Sequence, residues 1–175
     1  MPIVRPLPTR DVDNHVTELP ALRFAVATLV TWGGLRSALQ DLHLRGLAFE
    51  TFNCVGLQRV LADKDVVSPY QKAAVLQELA FPDSQEVICC TPGALAECLA
   101  GRRRAGAQTL QAALSQWLIP RHATHFQCEV EQGRIVLWVQ LSDADDERRA
   151  YQSLLANSSN SVGVHDLVSS PAPKN

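Results

Sequence analysis

His122, His125, Cys128 and Glu129 crowd four metal-ligating side chains into one short stretch. On a helix, His122 with His125 (i, i+3) and His125 with Glu129 (i, i+4) share a face, the geometry a helical zinc or iron site requires. Two histidines and a carboxylate do not close such a site, so His165 or Asp166 would have to arrive from a distant segment. Polar residues on a solvated helix face give the same spacing more often. The expectation is therefore a metal set of His122, His125 and Glu129 only if the fold completes it, and otherwise no stoichiometric metal and no cofactor.

Arg102-Arg103-Arg104, flanked by Gly101 and Gly106, has the guanidinium density to grip a phosphate or another anion. No aromatic residue is interleaved with the run, and Asp143, Asp145, Asp146 and Glu147 concentrate the opposite sign elsewhere. With 16 basic and 18 acidic residues the formal charge is −2, so no global field draws the chain toward nucleic acid, which is not an expected partner. Thr31-Trp32-Gly33-Gly34 marks a passage from strand to helix and reads as a tight turn that needs permissive dihedrals rather than as an anion loop. Cys89 and Cys90 are adjacent, point to opposite sides of a strand and read as small buried hydrophobes. No Gly-x-Ser-x-Gly elbow or His-Glu-x-x-His helix is present, so no catalytic residue is assigned.

The elements that must position these residues follow from periodicity. Residues 24–32 are β-branched, aromatic and apolar on both alternating faces, as in a buried strand. Leu35, Ala38, Leu39 and Leu42 then recur at helical spacing, with Gly46 as the stop, and residues 47–55 read as a second strand. The same order returns near the other end. Residues 134–141 form an apolar strand, Ser142 caps a helix in box-like fashion with Asp145, and Ala144, Glu147, Ala150, Tyr151, Leu154 and Leu155 make its stripe. A mixed strand over 161–168 closes the second unit.

Two β-α-β units predict an α+β fold, a ferredoxin-like sandwich in which the first strand of each unit is central and the second lies at an edge. The two crossover helices cover one sheet face. Yet Val26, Leu29 and Val30 in one central strand, and Val136, Leu137, Trp138 and Val139 in the other, make both faces apolar. Something must cover the second face. The candidates are the mostly helical insert at 57–131 or a second subunit, which makes a homodimer the expected partner unless the insert suffices. A gap beneath the cover would instead hold a small-molecule ligand. Within the insert, helices are expected at 70–81, at 95–118 with a break over 101–106, and from Pro120 to Gly133, with a short strand at 86–91.

Residues 1–20 hold four prolines and 168–175 are rich in proline and serine, so both ends are expected to be extended or mobile around a folded unit at 21–167. Five cysteines without repeated spacing, and a first segment without an apolar core, predict a reduced, cytoplasmic setting. No apolar run approaches the ~18 residues needed to span a bilayer, so the chain reads as soluble, with no membrane partner.

Trp117-Leu-Ile-Pro120, the short helix after it, Glu131-Gln-Gly-Arg-Ile-Val-Leu-Trp-Val139, the acidic helix start and Val162-Gly-Val-His-Asp166 resemble the heat-induced general stress protein domain family. The resemblance covers about half the chain, including the style of 24–52, and this sequence differs by inserting 57–116. Its motifs are structural and carry over no catalytic residue. The resemblance implies a stress-associated protein. Together with the weak chemistry it gives the functional expectation of a non-enzymatic binding or assembly module, against the alternatives of a small-molecule-binding or cofactor-dependent enzyme, or a metal-binding protein.

Overall fold

The structure, a computed structural model, describes residues 21–62, 76–158 and 161–168. The expectations for the two chain ends, 1–20 and 169–175, lie outside the described residues. β1 (Ala21–Leu29), β2 (Phe52–Leu57), β3 (Gln77–Glu78), β4 (Ile88–Cys90), β5 (Ile135–Leu141) and β6 (Gly163–Val168) form one six-stranded sheet in the order β3-β4-β2-β5-β1-β6. Every neighbouring pair is antiparallel. The fold is therefore α+β.

β5 is paired along its whole length with β1, from Leu141 opposite Arg23 to Ile135 opposite Leu29, as their shared apolarity demands. Each β-α-β unit is split by a strand of the other: β5 lies between β1 and β2, and β1 lies between β5 and β6. One expected position changes. β6 is an edge strand, but β2 is interior, because β4 and β3 extend the sheet beyond it. All six residues of β2 are accordingly buried.

The two sheet faces are covered differently. α1 (Trp32–Leu44) and α6 (Ala144–Asn157) pack Leu35, Ala38, Leu39, Leu42, Ala150 and Leu154 onto Ala25, Ala27, Leu29, Leu137 and Val139. Their ends are tied by Arg149 Nη1, which donates to the Arg45 carbonyl at 2.7 Å. The opposite face, carrying Phe24, Val26, Val55, Val136, Trp138 and Leu167, is covered by α3 (Ala94–Arg104), α4 (Leu110–Leu114) and α5 (Pro120–Glu131). Leu95, Leu99, Leu110, Leu114, Phe126 and Val130 are its lid. The insert, rather than a second chain, thus covers the described second face.

Local chemistry moves several boundaries. Trp32 belongs to α1 rather than to β1, and Val30 is exposed, so β1 ends a residue earlier than its apolar run. A single turn at Phe49–Thr51 delays β2, and a short helix, α2 (Gln58–Leu61), follows that strand. Gln77–Glu78 is a strand because it pairs with β4, whereas a helix was expected over 70–81; residues 70–75 lie outside the described residues. α3 runs through all three arginines and the break falls after Arg104, a placement that suits cations in a last helical turn. α6 is capped by Asp143, whose side chain accepts from Asp146 N, not by Ser142; Asp146 in turn accepts from Ser142 N at 3.1 Å. The cap thus sits one residue later than expected, and the returning bond reaches Ser142 N rather than the capping residue's own N–H.

Candidate functional site

α5 starts at Pro120, where the missing N–H costs nothing, and its buried stripe of Ala123, Phe126 and Val130 lays the helix on the sheet. This orientation turns His122 toward β6. There His165, opposite Phe24 in the strand register, meets it edge to face with ring centroids 5.2 Å apart. Phe126 lies 5.9 Å from His165, and Trp138 of β5 lies 5.5 Å from Phe126 and 6.2 Å from His165. Phe24 completes the cluster at 5.8 Å from Trp138. The imidazole of His165 folds back over Gly163, so closely that a Cβ there would stand 2.9 Å from Nε2. Burial lowers the His165 pKa, the charge of a protonated His122 lowers it further, and Asp166 opposes both.

The helical metal set is not assembled as its spacing suggested. His125 is exposed and lies against Phe126 at 5.5 Å. Glu129 is buried and both its oxygens accept from Arg134 Nη1, at 2.8 and 2.9 Å. Cys128 is exposed. Among the described residues no three His, Cys, Asp or Glu side chains are grouped to hold a metal. The residue that meets His122 comes from β6, and spacing along a helix carries no information about it. The one sequence signal was a histidine in the closing strand, His165.

The three arginines diverge as well. The Arg102 guanidinium lies over the Trp117 ring at 5.9 Å, and its Nε is buried without a hydrogen-bond partner. Arg103 Nε donates to the Ala80 carbonyl at 3.2 Å, and Arg104 is exposed. They do not form one anion cradle. At the start of α1, Thr31 Oγ1 accepts from Gly34 N at 3.1 Å, so the helix supplies its own cap where an anion was considered. Neither Gly33 nor Gly34 has a positive φ, which corrects the expectation of a turn needing permissive dihedrals.

Two spaces lined by described residues bear on a ligand. Between sheet and insert lies a cavity of about 10 Å³ lined by Val55, Val136 and Trp138 from the sheet and by Leu99, Leu110, Leu114 and Phe126 from the helices. That is scarcely room for one water, which would find no polar partner there. A surface groove of about 420 Å³ runs past Arg23, Ser142, Asp143, Glu147 and Asp166. Arg23 binds Glu147 at 2.9 Å and Asp166 at 3.0 Å, and Asp143 caps α6, so the groove carries three carboxylates against one guanidinium and no free cation for an anionic ligand.

The thiols offer no activated nucleophile in the core. Burial pushes Cys54 up to about 12 and Cys89 to about 11, and it raises Cys90 further with help from both neighbours. A thiolate is the reactive form, so these cysteines act as packing groups. All five cysteines are free. Compared with protein-family models, with curated proteins and with solved structures, the chain matches none.

Proposed function

We propose that the chain is a non-enzymatic binding or assembly module, built on a ferredoxin-like sandwich and working in the cytoplasm. The observation that carries the reading is the packing of the described insert helices on the sheet: the cavity between Val55, Val136 and Trp138 and the helices above them is about 10 Å³, far below the ~300–1,000 Å³ typical of small-molecule sites. The strand order β2-β5-β1-β6, with each β-α-β unit split by the other, supports the ferredoxin-like description. Free cysteines, three of them buried, support a reducing compartment. Among the described residues no helix is long and apolar enough to cross a membrane. Association with stress belongs to the proposal through the resemblance of 117–166 to the heat-induced general stress proteins.

The homodimer expected for a bare sheet face loses its reason, because the insert's helices occupy that face. Partners then meet the outer surfaces. A cofactor or small-molecule substrate would be felt in the melting temperature. A ligand at a hundredfold its Kd adds about 2.7 kcal/mol, or ~5–10 °C for a chain of this size. Thermal denaturation with zinc, iron, nucleotides, nicotinamides or flavins is expected to leave the midpoint within about 1 °C of the free protein. A saturable rise of several degrees with any of them would favour the enzyme, ligand or metal reading instead.

A further inference from the structure

β6 is bound to the sheet on one side alone, by β1. On its inner face it is held by side chains. Leu167 is fully buried, Trp117 Nε1 donates to the Val168 carbonyl at 2.8 Å, and His165 packs against His122, Phe126 and Trp138. An ionisable ring therefore supplies part of the contact that keeps an edge strand in place. We infer that His165 is an acid-sensitive latch: neutral, it seats β6 against α5 and Trp138, and protonated, it loosens the strand and breaks the Trp117 bond to Val168.

The surroundings of the ring give the latch its direction. From α5 it faces the imidazole of His122, and His125 lies farther along that helix beside Phe126. From β1 it is opposite Phe24, and from β5 it meets Trp138, neither of which can take a charge. Along β6 its neighbour Asp166 is the nearest counter-charge, but successive strand residues point to opposite faces and Arg23 already holds both Asp166 oxygens at 3.0 Å. His165 is half-buried, and a proton on it stands among aromatic rings and beside a second basic ring, where charge is less favourable than in water.

The lowered pKa of His165 agrees in sign. A histidine whose folded pKa lies below the ordinary value of about 6.5 withholds nothing above that pH, and stability is lost as the pH falls from there toward the folded pKa. The loss should be local. A strand with one neighbour opens at lower cost than the central pair β1 and β5.

The test is residue-resolved amide exchange, expressed as protection factors at pH 7.5 and 5.5, together with an NMR titration of the His165 ring. Protection of the β6 amides is expected to fall at the lower pH by up to about tenfold, the ceiling one pH unit below an ordinary pKa of about 6.5, while that of β5 is kept and the ring titrates below that ordinary value. His165→Gln should abolish the fall. His122→Gln, which keeps the latch but removes the neighbouring imidazole, should reduce it, and decides the matter if the first variant does not fold. A ring that titrates at or above the ordinary value, the same β6 loss in His165→Gln, or equal losses in β5 and β6 would each overturn the latch.

Discussion

Replacing Trp138 with alanine is expected to destabilise the protein by about 3–5 kcal/mol, the cost of removing a large aromatic from a core. Trp138 is 2% exposed and stands opposite Val26 at the centre of the sheet. Its indole touches Phe24 of β1, Phe126 of α5 and His165 of β6, so one side chain joins three elements. The neighbours cannot close over the gap easily, since Phe24 and Val26 belong to a strand paired on both sides. The void would also merge with the small cavity already present beside Phe126 and Val136. Urea denaturation of Trp138→Ala measures the effect. A loss under about 1 kcal/mol, well short of the core range, would contradict the buried role.

Gly93→Ala is expected to cost about 2–6 kcal/mol, from ~1–3 kcal/mol of backbone strain and a similar cost of overpacking. Gly93 precedes α3 with φ +152°, where a side chain is strained. A Cβ there would also stand 2.6 Å from Asn53 Oδ1. Asn53 cannot swing aside. It is 1% exposed, and its Nδ2 donates to the carbonyls of Thr51 at 3.1 Å and Trp138 at 3.4 Å. The buried Oδ1, which has no hydrogen-bond partner, is fixed against the start of α3 as a result. Gly33→Ala is the matched control. Gly33 lies in the first turn of α1 with nothing within 4 Å of a built Cβ, so alanine there should stabilise by about 0.5–1 kcal/mol. Denaturation midpoints that move equally in both variants would remove the steric argument.

The contrast between the glycines shows where the sequence was readable. Leu35, Ala38, Leu39 and Leu42 are buried as their spacing required, and the central placement of β1 and β5 followed from apolar residues on both of their faces. The stripe of α6 is narrower than its spacing suggests: Ala150 and Leu154 are buried, but Tyr151 and Leu155 are exposed. Apolarity alone does not tell a buried flank from a surface one. β3 was not legible, because Gln77 and Glu78 are a strand by virtue of β4 beside them and carry no strand pattern of their own.

The candidate site was legible in its parts and not in its assembly. The helix carrying His122, His125 and Glu129 was expected from Pro120 onward, and it forms there. Glu129 found Arg134, five residues on, rather than an ion. His122 found His165 only because α5, packed over β2 and β5, reaches as far as β6 with its rings, and that placement depends on how the insert folds back across the sheet. Local periodicity gives each helix its buried side but not the surface it will meet.

The insert's own helices, and not a second chain or a ligand, complete the core over the sheet face of Phe24, Val26 and Trp138. Light scattering of the full chain at micromolar concentration checks this. The predicted mass is that of one chain, 19.2 kDa. A mass of about twice that value, kept on dilution and lost when Leu99 and Leu114 are replaced by polar residues, would contradict it and return the face to a partner subunit.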